Sequence, residues 1–208
     1  RPVQYGEQIK LGEVEVGFVP AGHVLGSAQI VLEHRGERVV VSGDYKRRAD
    51  PTCTPFEPVK CDVFVTEATF ALPVFRHPPI AHEIGRLLDS LRLFPERTHI
   101  VGAYALGKAQ RVVALLREEG WDRPIHLHGA MEKLTDYYRS EGIALGETPK
   151  VAAADRASLK GAIVICPPSA MECSLLNRRL FRVADFRQAL PKARPAPPCR
   201  CARAPGHE

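Results

Sequence analysis

The hydrophobic pattern changes period near residue 76, and that change limits the folds open to this chain of 208 residues. Before it the signals are those of short strands. Residues 11–20 alternate apolar and polar over their centre and stop at Pro20. Gln29–His34 and Arg38–Ser42 form two further strand patterns, joined by a tight turn at Arg35-Gly36-Glu37. Cys61–Thr66 is a fourth, with Glu67 at its C-terminal end. After it, strand and helix patterns alternate. Ile84, Leu87, Leu88 and Leu91 mark one face of a helix over 80–93, and Val112, Val113, Leu115 and Leu116 mark another over 107–119. A third helix is predicted over 131–141, and buried-type strands over 98–104, 124–129 and 161–166, the last closed by Pro167-Pro168. Strands alternating with helices of about 10–14 residues predict a small parallel, doubly wound α/β unit.

Composition adds a second division. Apolar content of 45% and charged content of 25% are those of an ordinary globular protein. No run approaches the roughly 18 apolar residues of a membrane span, and the first residues contain no apolar signal core. A cytoplasmic location is therefore expected, with the six cysteines reduced: none forms a CxxC pair, and Cys199-Arg200-Cys201 has the wrong spacing for a zinc knuckle. The net charge of +5 is unevenly placed. Residues 171–208 carry eight basic and three acidic residues, and the 21 basic and 21 acidic residues before them balance. Overall basicity is thus poor evidence for nucleic-acid binding. Five prolines fall within 191–206, with scattered Arg and Cys and no periodic apolar face, so the tail is expected to be disordered or a non-native, frame-shifted end.

Two short strings carry metal-type ligands. Ala21-Gly22-His23-Val24-Leu25-Gly26-Ser27 and Val41-Ser42-Gly43-Asp44-Tyr45 each place one donor in a Gly-flanked turn after a strand-like run. Hydrolytic metal sites are commonly assembled from such strand ends. His23 and Asp44 are candidate metal ligands, and Asp44 and Glu67 are candidate catalytic acids. Further along, Gly107-Lys108-Ala109-Gln110-Arg111 opens a helix directly after a strand. Free N–H groups there, with Lys108 and Arg111, predict a phosphate cradle at Gly107, Lys108, Gln110 and Arg111. The spacing is not that of a Walker motif. Tyr104 is placed to stack or hydrogen-bond near the cleft. His126 and His128 alternate on one strand, and no acid and histidine complete a metal string after them, so they read as one structural histidine and one that is structural or faces phosphate. Trp121 reads as a loop anchor.

The strings Gly22-His23-Val24-Leu25-Gly26-Ser27, Ser42-Gly43-Asp44-Tyr45 and Thr66-Glu67-Ala68-Thr69-Phe70 resemble, in order, motifs of the β-CASP nucleases. These are metallo-β-lactamase-fold enzymes that cut DNA or RNA. Asp50-Pro51-Thr52-Cys53, Leu72-Pro73-Val74-Phe75-Arg76, residues 104–111 and Val164–Ala170 are similar to the ligase-associated DNA exonuclease group in particular. The resemblance covers residues 5–170. It implies a partial metallo-β-lactamase αββα sandwich over 1–75, a β-CASP insertion over 76–170 and a tail over 171–208. It also implies that His23 ligates one of two divalent metal ions (Zn²⁺ or Mn²⁺), that Asp44 bridges both, and that Glu67 supports the centre. The implied partner is DNA, with RNA as the alternative, and the implied setting is repair alongside a ligase.

The same resemblance exposes a deficit. The family's HxHxDH string, which supplies most of its ligands, occurs nowhere in the chain, and the tail lacks the two later histidine motifs. The chain is expected to be a fragment that is inactive by itself, with a non-enzymatic nucleic-acid-binding remnant as the other reading.

Overall fold

The computed structural model of the chain describes residues 1–75, 78–151, 154, 158–172 and 181–182. The expectations for the tail fall on residues 173–180 and 183–208, outside the described set. Two sheets organise the rest.

The first sheet contains β1 (Gln8–Leu11), β2 (Val14–Pro20), β3 (Ala28–His34), β4 (Glu37–Val41) and β5 (Val63–Val65), in that spatial order. β1 to β4 form an antiparallel meander, and β5 adds parallel to β4. The strand pattern over 11–20 is broken at Gly12–Glu13, where Leu11 pairs with Val14 and a hairpin adds β1. The two-residue turn at Arg35-Gly36 closes the β3–β4 hairpin, with His34 opposite Glu37. The register puts Val16, Leu32, Val39 and Val63 on one face, together with Phe18, Ile30, Val41 and Val65. That face is apolar except at its far end, where His34 pairs with Glu37, and part of it is open: Ile30, Val63 and Val65 are 38%, 52% and 50% exposed. The opposite face buries Val31 and Val40. The segment after β4 covers part of it. Tyr45 packs tilted against Phe56 and edge-on against Phe64, with ring centroids 5.2 and 6.3 Å away, and the Gln29 amide donates to the Pro20 and Glu57 carbonyls.

The second sheet contains β6 (His99–Gly102), β7 (Ile125–Leu127), β8 (Ile163–Cys166) and β9 (Phe181–Arg182), all parallel, in the order β7-β8-β6-β9. Every residue of β6, β7 and β8 is buried, His99 and His126 included, as the strands of a parallel sheet should be. The helices α1 (Ile80–Leu93), α2 (Lys108–Glu118) and α3 (Glu132–Ser140) supply the layer above. Ile84, Leu87 and Leu91 of α1 and Val112, Val113 and Leu116 of α2 join Val101, Ile125, Leu127, Ile163 and Ile165 in one apolar core. Those strand residues alternate onto a single face, so among the described residues all three helices share that face. The topology explains this. β6 to β7, and β7 to the isolated parallel bridge at Lys150, step the same way across the sheet. Right-handed crossovers then put α2 and α3 on the same side. A doubly wound sheet has helices on both faces, and the described residues show one. No described helix is long and apolar enough to cross a membrane.

Candidate metal and nucleic-acid site

Strand direction brings the first candidates together. β2 and β4 are both antiparallel to β3, and β5 is parallel to β4, so β2, β4 and β5 run the same way. Their C-terminal ends therefore lie along one end of the sheet, and His23, Asp44 and Glu67 follow those three ends. The His23 Nε2 and Asp44 Oδ2 atoms are 3.8 Å apart, with the two side chains 40% and 75% exposed. Glu67 turns to local duty: its carboxylate accepts from the Thr69 N–H at 2.8 Å. No three His, Cys, Asp or Glu side chains gather into a metal-binding group among the described residues.

The turn carrying His23 is held from several sides. Ser27 Oγ accepts from the His23 and Val24 amides at 3.0 and 3.2 Å. Gly22, at φ +69°, sits so close to the next segment that a β-carbon would lie 2.5 Å from the Lys46 carbonyl oxygen and 2.7 Å from the Phe56 nitrogen. Neither the dihedral nor the space admits another residue. From the other side, the Leu25 N–H donates to the buried Tyr138 hydroxyl on α3 at 3.2 Å.

The expected phosphate cradle has a different form. Gly107 (φ 76°, ψ −57°) is the centre of a tight γ-turn in which the Lys108 N–H donates to the Leu106 carbonyl at 2.9 Å. The Ala109 N–H donates to Tyr104 O at 3.1 Å. Two of the first amides of α2 are thus engaged within the chain. A β-carbon at Gly107 would collide with Val24, so this turn and the His23 turn touch. The Gln110 side chain is buried, its amide donating to Ala105 O and Thr135 Oγ1. Arg111 Nε lies 3.4 Å from the Asp50 carboxylate. Of the four cradle residues, only Lys108 is exposed, its ammonium 5.1 Å from the Tyr104 ring centroid, with that ring 52% exposed. Residues 104–111 carry a helix-start signal but none for where these side chains point.

Other candidates are structural. His128 Nδ1 accepts from the Ala130 N–H, capping the 3₁₀ turn at Gly129–Met131, and His126 is buried. Trp121 packs against the core beneath Arg123. The residue that sequence reasoning passed over is Asp50. Its side chain is 3% exposed, paired with Lys46 and Arg111. A carboxylate buried between two cations has no periodic signature, and only the Asp-Pro-Thr turn string hinted at it.

Comparison with known proteins settles the family. No family model matches the chain. It is 34% identical over 167 residues to a probable DNA ligase of Opitutus terrae, covering 76% of this chain and 15% of that one. It is 32% identical over 133 residues to the endoribonuclease ysh1 of Aspergillus fumigatus, covering 62% and 14%. A protein of Acidianus ambivalens, known as the uncharacterized protein in the lig 3′ region, is 31% identical over 140 residues, covering 64% of this chain and 94% of that one. The chain belongs to the β-CASP family of metallo-β-lactamase-fold nucleases. It spans about one seventh of the first two of these relatives.

β-CASP nucleases are metal-dependent, so the donor set is the deciding test of fit. A catalytic zinc takes three protein ligands. The described β-CASP chain brings two, both well exposed. Those two do not fit a resident metal ion by themselves.

Proposed function

We propose that this chain is the central part of a ligase-associated β-CASP exonuclease, a metal-dependent phosphodiesterase acting on DNA ends in repair. The observation that carries the reading is the alignment over 76% of the chain with a protein named a DNA ligase, in the chain whose His23 and Asp44 meet at 3.8 Å. In this reading His23 and Asp44 are two donors of a two-metal Zn²⁺ or Mn²⁺ centre, and Glu67 is an acid at its margin. Residues 1–75 are part of the metallo-β-lactamase sandwich and 76–170 most of the β-CASP insertion. Lys108 and Tyr104 contact the nucleic-acid backbone and a base, and the protein works in the cytoplasm.

The chain by itself is inactive, because two donors do not hold the centre. The open apolar face of the first sheet supports this: an exposed patch of that kind marks a surface made to be covered. Incubating the purified chain with Zn²⁺ or Mn²⁺ and an end-labelled DNA duplex should give no turnover above background. Turnover that disappears in His23→Ala and Asp44→Ala would sink the reading of an incomplete centre.

RNA is the second reading, favoured by the similarity to ysh1, a protein named an endoribonuclease. Matched DNA and RNA strands offered to the complete protein discriminate: preference for RNA transfers the reading to RNA processing.

A further inference from the structure

We propose that Asp50 is a positioning residue for His23, acting through Lys46 to fix how the 21–23 turn presents the imidazole. It rests on the reading of His23 as a metal donor.

Three successive carbonyls of that turn are held by one neighbouring segment. Ala21 O accepts from the Lys46 N–H at 3.0 Å, Gly22 O from the Cys53 thiol at 3.4 Å, and His23 O from the Lys46 ammonium at 3.3 Å. Asp50 organises that segment. Its Oδ1 accepts from the Thr52 N–H at 2.9 Å and the Thr52 hydroxyl at 2.6 Å, and its Oδ2 pairs with Lys46. The Lys46 ammonium therefore bridges the Asp50 carboxylate and the His23 carbonyl. Arg111, reaching from α2, brings a second cation to Oδ2 at 3.4 Å and anchors the segment to the second sheet's helices.

Geometry explains why a charge is used. A lysine head held between a neutral amide and a carbonyl keeps several rotamers, because its three donors sit on a flexible stem. A carboxylate at 3% exposure holds it in one. Burial of that carboxylate is tolerated because two cations and two Thr52 donors face it. Asp50→Asn keeps the shape and an acceptor for Thr52, and loses the charge that aims Lys46.

Site-resolved amide hydrogen exchange on the full 208-residue chain tests this. The reporters are the His23, Val24 and Lys46 amides, all bonded within the turn. Asp50→Asn should speed their exchange roughly tenfold or more, while Val31, Val40 and Val113 stay within about twofold. Lys46→Met, should Asp50→Asn fail to fold, should speed the His23 and Val24 amides in the same way. Uniform acceleration everywhere would reduce Asp50 to general stability and overturn the proposal, as would no change.

A second readout uses Mn²⁺ alone as probe and follows broadening of the His23 ring signal. The wild-type chain should broaden at lower Mn²⁺ than Asp50→Asn, by roughly threefold in concentration. Equal broadening in both overturns the positioning role. Absence of broadening at His23 in the wild type instead defeats the donor reading, and the exchange experiment still decides whether Asp50 orients the turn.

Discussion

Single residues here owe their chemistry to what surrounds them, and the thiols show it most simply. Cys53, Cys61 and Cys166 are all free. Cys166 is wholly buried in β8, and burial pushes its thiol up to about 11. Cys53 is also raised, by partial burial first and then by the Asp50 carboxylate. The thiolate is the reactive form, so among these three thiols iodoacetamide at pH 8 should modify Cys61 before Cys53, and Cys166 only after unfolding. Peptide mapping by mass spectrometry reads the order. Labelling of native Cys166 as fast as Cys61 would contradict its burial. The same rule separates the two cations near the candidate site: Arg111 faces a buried carboxylate, whereas Lys108 lies over the exposed Tyr104 ring.

Between elements, one side chain gathers the turns at the far end of α2. Arg117 donates to the carbonyls of Leu145 (3.1 Å), Trp121 and Arg123 (both 2.7 Å) and Glu147 (2.8 Å). It thereby ties the end of α2 to the β7 approach and to the chain leaving α3. Arg139 does related work nearby, donating to Gly146 O and Thr148 Oγ1. Removing a charged donor from several carbonyls leaves acceptors unpaired, so Arg117→Ala should cost about 2–4 kcal/mol in denaturant unfolding. Arg117→Lys should recover only part of that, because a point cation lacks the planar fork. A loss below about 0.5 kcal/mol would mean that water replaces these bonds without penalty.

For the whole molecule, stability should fall with acid in two stages. Burial first lowers the pKa of His99 and of His126, so the folded chain resists protons that the unfolded chain accepts near pH 6.5. Their contribution is whole above that pH and is lost as pH falls through the lower folded values. Asp50 follows. Burial would raise its pKa, but Lys46 and Thr52 together outweigh that and hold the carboxyl below its usual range. Its contribution is whole above about pH 3.9 and disappears as pH falls through the folded value. Urea midpoints measured from pH 8 to 3 should decline in both windows, and Asp50→Asn should flatten the lower one alone. A midpoint unchanged between pH 7 and 5 would show that His99 and His126 titrate normally. Much of this architecture was legible beforehand. The period change near residue 76 announced two kinds of layer, and the helix over 80–93 lies where its apolar spacing placed it. Local spacing determines those features, because a strand or helix must turn one face to a core. The family strings likewise lie within single turns, where sequence neighbours are spatial neighbours. Tertiary structure alone decided the rest. Whether the helices share a face depends on the order of strands across the sheet, and whether Arg111 meets phosphate or Asp50 depends on a residue 61 positions away. His23 and Asp44 approach to 3.8 Å because β2 and β4 run the same way beside β3, a pairing that spacing along the chain does not encode.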